Sequence, residues 1–295
     1  MKNDLKIKKI IKQAIDIHYH VGPEIVPRKF NAPELINSEK GKIGGLVLKN
    51  HFFPTSPFIK ETNPKGIKLF GGLALNNFVG GLNPETIISL REFDKNPIIV
   101  WFPTINSKNF LKKSKFEIAP EWVNDQEFNG RLSINVKPVT VFKDNKLTIN
   151  TIFFLRLMRD LNLTLATGHL SWQESKILST QFLNLGGKVV LTHPIYQKIN
   201  MPIKIQKELA DKGCFIEQSY SMYSIDKIPI EKIAQQIKSV GCQSVILSSD
   251  VGQKFSPPPS YALYKFCSIL LENGINYDEL YLMLVLNPKK LLGIV

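Results

Sequence analysis

Eight short apolar runs, each followed by a turn and then a helical pattern, constrain this chain more than any other feature. They span residues 14–18, 45–49, 67–75, 98–102, 163–167, 188–192, 214–218 and 244–248, and read as AIDIH, GLVLK, IKLFGGLAL, IIVWF, LTLAT, KVVLT, CFIEQ and SVILS. They are rich in β-branched and aliphatic residues and show little polar alternation. Strands buried on both faces read this way, as in a parallel sheet.

Helical patterns lie between the runs. Asn83-Pro84-Glu85 places a capping residue, a first-turn proline and an early acid before Ile87, Leu90 and Phe93 at helical spacing. Residues 203–212 and 230–240 form two more, closed by Gly213 and Gly241. Residues 150–160, 171–185 and 260–273 complete the set, and Leu5, Ile7, Ile10, Ile11 and Ala14 mark a short amphipathic helix before the first strand. Eight strands alternating with helices predict an α/β chain, a (β/α)8 TIM barrel formed by residues 1–295 as one domain. The rival is a doubly wound sheet. It gains nothing here, because no GxGxxG follows the first strand and no GxxxxGK[ST] is present. Gly71-Gly72 and Gly80-Gly81 fit turns or close packing instead.

One segment breaks the rhythm. Residues 103–149, between the fourth strand and the helix before the fifth, are too long for a plain connection. Within them, 133–141 and 147–149 flank Lys143-Asp144-Asn145, which predicts an inserted β-hairpin over the barrel mouth. Pro257-Pro258-Pro259 reads as a rigid loop.

Composition limits the partners. The chain carries 38 Lys+Arg against 25 Asp+Glu, a formal charge of +13. The excess is nearly all lysine, spread along the chain. Arginine, the residue that reads bases and phosphates in a fork, stands only at positions 28, 91, 131, 156 and 159. A nucleic-acid partner is therefore disfavoured, and a small-molecule substrate, anionic if the field is used, is expected. Self-association into a homo-oligomer is left open. No apolar run reaches the ~20 residues of a membrane span, and MKNDLKIKKIIKQAIDI lacks the apolar core of a secretory signal. Cys214, Cys242 and Cys267 are odd in number, widely spaced and free of any CxxC, which fits a reducing cytoplasm rather than a disulfide framework.

The histidines carry the chemistry. His18, His20, His51, His169 and His193 all stand at or just past the C-terminal end of an expected strand, and the last strand ends in Asp250. Those ends converge on one face of a parallel barrel, where barrel active sites form. His18 and His20 are two apart on one strand, so both point to one side and can approach one ion at the ~2.0–2.1 Å of a zinc–nitrogen bond. Asp16 has the same parity one step deeper, as a ligand or only as a hydrogen-bond partner of the site. Such a donor set suits a divalent metal. Zinc leads, as one or two ions, and manganese, iron or nickel also fit.

Asp16-Ile17-His18-Tyr19-His20, Gly168-His169, Thr192-His193-Pro194, Ser248-Ser249-Asp250 and the closing Asn287-Pro288-Lys-Lys-Leu-Leu-Gly293 together resemble the amidohydrolase superfamily of metal-dependent barrel hydrolases, over residues 14–293. The resemblance implies that His18 and His20 bind a first metal with Asp250. It implies that His169 and His193 bind a second or complete a single site, and that Asp250 moves the proton of the attacking water. Many two-metal members carry a glutamate or carboxylated lysine at the end of strand four, and IIVWFPT offers neither. Lys49 could substitute, or form an ion pair or hydrogen bond inside the barrel. His51 shares its face as a further ligand or substrate contact. Glu217, Tyr220, Arg28 and Glu24 are further mouth candidates, with Arg28 suited to a substrate carboxylate or phosphate and Arg28 and Glu24 equally readable as a solvated loop. The expected activity is hydrolysis of an amide, cyclic amide, lactone or related carbonyl. A decarboxylase on the same scaffold is the alternative, and a phosphoesterase is favoured by charge alone.

Overall fold

A computed structural model describes residues 2–62, 64–114, 117–118, 122–123 and 136–294. Eight parallel strands follow one another around a barrel: β1 (Ile15–His20), β2 (Gly45–Lys49), β3 (Lys68–Ala74), β4 (Ile98–Trp101), β5 (Thr164–Ala166), β6 (Val189–Leu191), β7 (Phe215–Ser219) and β8 (Val245–Ser248). Helices run between them. The ring closes just past β8, where Tyr19 bridges Val251, His20 N donates to Val251 O at 2.9 Å and Asp250 N donates to His18 O at 2.8 Å.

The strands are buried on both faces, as their uninterrupted apolar composition requires. Leu46, Leu48, Val100, Leu165, Leu191, Ile216 and Leu247 pack outward into the helix layer. Ile15, Ile17, Val47, Ile99, Trp101, Ala166, Val190 and Ile246 form a separate inner cluster, with Leu291 and Leu292 joining it from the C-terminal helix. Asn287 ties that helix to the β8 end of the barrel by donating to Cys242 O and Val245 O. Gly72 makes room for the largest inner side chain. A Cβ there would stand 2.3 Å from Leu48 O and 2.7 Å from the Trp101 ring.

Local signals set the helix ends. Asn83 caps Pro84–Phe93, Ser171 and Glu174 form a capping box on Trp172–Asn184, and Gly241 follows Ile230–Val240 with φ 97. The leading helix, Lys2–Ile11, buries Ile7, Ile10 and Ile11 but leaves Leu5 exposed, so the apolar stripe is narrower than expected. The inserted hairpin is shorter than expected. Phe142–Lys143 pairs antiparallel with Lys146–Leu147 around Asp144 and Asn145, whose φ values of 50 and 58 make a primed turn. Residues 136–141 are not strand, and 133–135 lie outside the described residues. Among the described residues, no helix is long and apolar enough to cross a membrane.

The alternation assumed for β1 also fails at one point. Its register on β2 shifts between Asp16 and Tyr19. Ile15 and Ile17 face the inner cluster, and Tyr19 faces the helices. Asp16 therefore does not share the histidines' face. Its Oδ1 accepts from His18 N at 3.1 Å and Ser249 N at 3.0 Å, pinning β1 to β8 beneath the mouth.

Candidate metal centre

All five histidines meet at the C-terminal mouth. His18 lies 5.2 Å from His20 and 5.8 Å from His193 by ring centroids, His20 lies 4.7 Å from His51, and His169 lies 5.2 Å from His193. Asp250 sits among them, with Oδ1 3.1 Å from both His18 Nε2 and His20 Nε2, and Oδ2 3.8 Å from His193 Nε2. One donor atom from each of His18, His20 and Asp250 lies within 4.8 Å of the other two. Two of these residues sit on unusual backbone, His193 at φ 25 and Asp250 at φ 49. Such conformations persist only where surrounding structure enforces them, and they gather at functional sites.

The protonation pattern follows from the neighbours. His18 Nδ1 donates to Glu217 Oε1 at 2.8 Å, which leaves Nε2 with the ring's lone pair. Glu217 is itself fixed, accepting from Ser248 Oγ at 2.6 Å and from His193 N at 3.0 Å. A carboxylate behind a ring nitrogen in this way orients the ring and raises its basicity as a ligand. Lys49 Nζ donates to His18 Nε2 at 2.9 Å. Arg28 Nη2 donates to His20 Nδ1 at 3.1 Å, so the His20 proton lies on Nε2, directed at Asp250. Ser221 Oγ donates to Asp250 Oδ2 at 2.7 Å. His51 Nδ1 shares a 2.9 Å hydrogen bond with Thr104 Oγ1, and its ring stacks on Trp122.

Burial holds His18 and His193 down to about 3, and His20, His51 and His169 well below the usual imidazole range. The rings are neutral at pH 7, the form that binds metal. Burial brings Lys49 down to about 8, against the pull of Asp250 and Glu217. It also raises Asp16 to about 7.

These residues fit a divalent ion. Among the described residues, Nδ1 of His169 and Nδ1 of His193 are buried with no hydrogen-bond partner. An orphaned buried polar atom costs ~1–3 kcal/mol, and an ion at His169 Nδ1 would remove that cost; His193 turns Nε2, not Nδ1, toward Asp250, at 3.8 Å. Neutral imidazoles beside one carboxylate are a borderline-hard set of the zinc type.

The other expected mouth residues are placed as follows by their contacts. Arg28 and Glu24 are not a solvated loop. Their side chains are 2% and 0% exposed and joined in a two-point ion pair at 2.8 and 2.9 Å. Arg28 also lines the mouth, where its Nε and Nη2 are engaged by Glu24 and His20. Tyr220 turns into the helix layer against Phe266, and Ser221 takes the mouth position. Lys49 takes the internal hydrogen-bond option, on His18. Ser221, Thr104, Tyr196 and Trp122 were not singled out from the sequence.

The sequence profile of a family of unknown function, DUF6282, matches residues 13–217. The chain belongs to this family. No curated protein matches it. Several solved structures share the fold of this DUF6282 member. An amidohydrolase from Pseudomonas aeruginosa is 10% identical, with 97% of this chain and 98% of that one covered at TM-score 0.60. A lactonase from Listeria monocytogenes is 14% identical, with 96% and 95% covered at TM-score 0.52. A 2,6-dihydroxybenzoate decarboxylase from Rhizobium is 10% identical, with 95% and 98% covered at TM-score 0.52. At such identities the likeness is one of fold, a barrel of eight parallel strands with helices between them.

Removing Glu217 should leave the fold but loosen the centre. Glu217→Ala frees the His18 ring and strips His193 N of its acceptor, and zinc affinity should fall ~10- to 100-fold. Competition against a chromogenic chelator measures it, and unchanged affinity would remove Glu217 from the account.

Proposed function

We propose that the chain is a metal-dependent hydrolase acting on an amide, cyclic amide, lactone or related carbonyl of a small molecule. The observation that carries this reading is the convergence of five neutral histidines and Asp250 on one barrel mouth, with donor atoms of His18, His20 and Asp250 within 4.8 Å of one another. His18, His169, His193 and Asp250 would hold the ion, joined by His20 once its Nε2 proton is released. Zinc suits the donors best, and manganese, iron or nickel are the other candidates. An ion bound there supplies a water of lowered pKa and a Lewis acid for the carbonyl oxygen.

The chain's own residues would do the rest. Asp250, steadied by Ser221, takes the proton of the attacking water and returns it to the leaving group. Glu217 and the Glu24–Arg28 pair keep His18 and His20 in register. Trp122, Tyr196 and Met222 line a narrow cavity of about 30 Å³ together with His20, His51, His169 and His193, room for a water or two beside the proposed ion.

One observation favours a second reading. The end of β4 is occupied by Trp101 rather than by a bridging carboxylate, and His18 lies 5.3 Å from its ring. A single-ion centre follows naturally, and decarboxylation of an unsaturated or aromatic acid is the alternative chemistry. The metal-loaded chain should be assayed against lactones, cyclic amides and aromatic acids, with ring-opened product by chromatography and carbon dioxide release read separately. Ring-opened product without carbon dioxide supports hydrolysis, and carbon dioxide release supports the second reading. Turnover unchanged by chelation contradicts both.

A further inference from the structure

We infer that Lys49 is a resident cation of the metal centre: its ammonium holds the His18 lone pair that an ion must take, so metal loading displaces Lys49 and this lysine sets how tightly the site binds metal. This rests on the metal-centre reading above.

The argument begins with valence. A neutral imidazole has one N–H and one lone pair. The His18 N–H is committed to Glu217 through Nδ1, and the lone pair on Nε2 accepts from Lys49 at 2.9 Å. The same atom lies 3.1 Å from Asp250 Oδ1, at the heart of the donor cluster. An ion bound by His18 and the Lys49–His18 hydrogen bond are therefore competing claims on one electron pair.

The placement of Lys49 explains why a lysine is tolerated there. It stands at the end of β2, 1% exposed, with its stem beside the inner apolar cluster and Nζ 5.3 Å from the Trp101 ring centroid. A buried ammonium is costly without compensation. Asp250 and Glu217 attract it from within the site, and Glu24 from behind Arg28. A divalent ion among the same carboxylates would repel the ammonium at close range. Lys49 also lines the substrate cavity and has a flexible four-carbon stem, so it has somewhere to go. Arg28 differs, since its fork is locked on Glu24.

The test is a metal titration of the chelator-stripped full-length chain, with zinc alone as probe and a chromogenic chelator as competitor. Wild type is compared with Lys49→Met, Lys49→Gln and Lys49→Arg at one pH. Both neutral variants should bind zinc about tenfold more tightly or better, and the arginine variant should bind no more tightly than wild type. Equal or weaker binding by both neutral variants would overturn the inference and make Lys49 a ligand or a bystander. Absence of zinc binding by all four chains would instead overturn the metal-centre reading, and the inference with it.

Discussion

Asp250→Asn should lower the turnover of the metal-loaded chain by ~10²- to 10⁴-fold, the range that a positioned proton acceptor supplies. Asparagine keeps the shape and can keep an oxygen for Ser221. It also tolerates the left-handed backbone at φ 49 better than almost any other residue. What it loses is the capacity to take a proton and a full charge beside His18, His20 and His193. The loss should fall on kcat more than on KM, with the thermal midpoint of unfolding within a few degrees of wild type. Turnover near the wild-type value in a variant that still binds metal would show that Asp250 is not the proton acceptor.

Acid should destabilise the stripped chain steeply. The five histidines have folded-state pKa values below their unfolded value of ~6.5, at about 3 for His18 and His193. A depressed histidine contributes stability above its unfolded pKa and loses it as pH falls below that value, until the folded pKa is reached. Asp16, raised to about 7, and Glu24, also raised by burial, act in the opposite sense because they keep protons in the fold that they lose on unfolding. Unfolding then takes up a net ~3 to 4 protons near pH 5, a slope of about 4–5 kcal/mol per pH unit at its steepest. Urea midpoints at pH 7, 6 and 5 measure this. Midpoints that stay level would mean that the rings are solvated and that the mouth is more open than described.

The barrel was legible because both-face burial leaves a signature that needs no partner to be read. The run KVVLT predicts a strand over 188–192, and Val189–Leu191 is the strand observed. The histidines were legible for the same reason, since each ends such a run and the topology brings those ends together. What the sequence hid depends on a third dimension. The register shift in β1 turns Asp16 away from the face that simple alternation assigns it. Arg28 and Glu24 look like loop residues until the chain folds them under the mouth, where each becomes the other's counter-ion. Tyr220 and Ser221 are neighbours, and the helix that begins there decides which one faces Asp250. Thr104 matters only because Asn76 and His51 arrive from other strands.

The central claim is that this mouth is a divalent metal centre. The most direct measurement is elemental analysis of the purified full chain beside a His18→Ala/His193→Ala variant, with anomalous diffraction at the absorption edge of whichever metal is found. The account predicts one or two ions per chain, with density among His18, His169, His193 and Asp250, and loss of metal from the folded double variant. Equal metal content in both proteins, or anomalous density away from these residues, would contradict it.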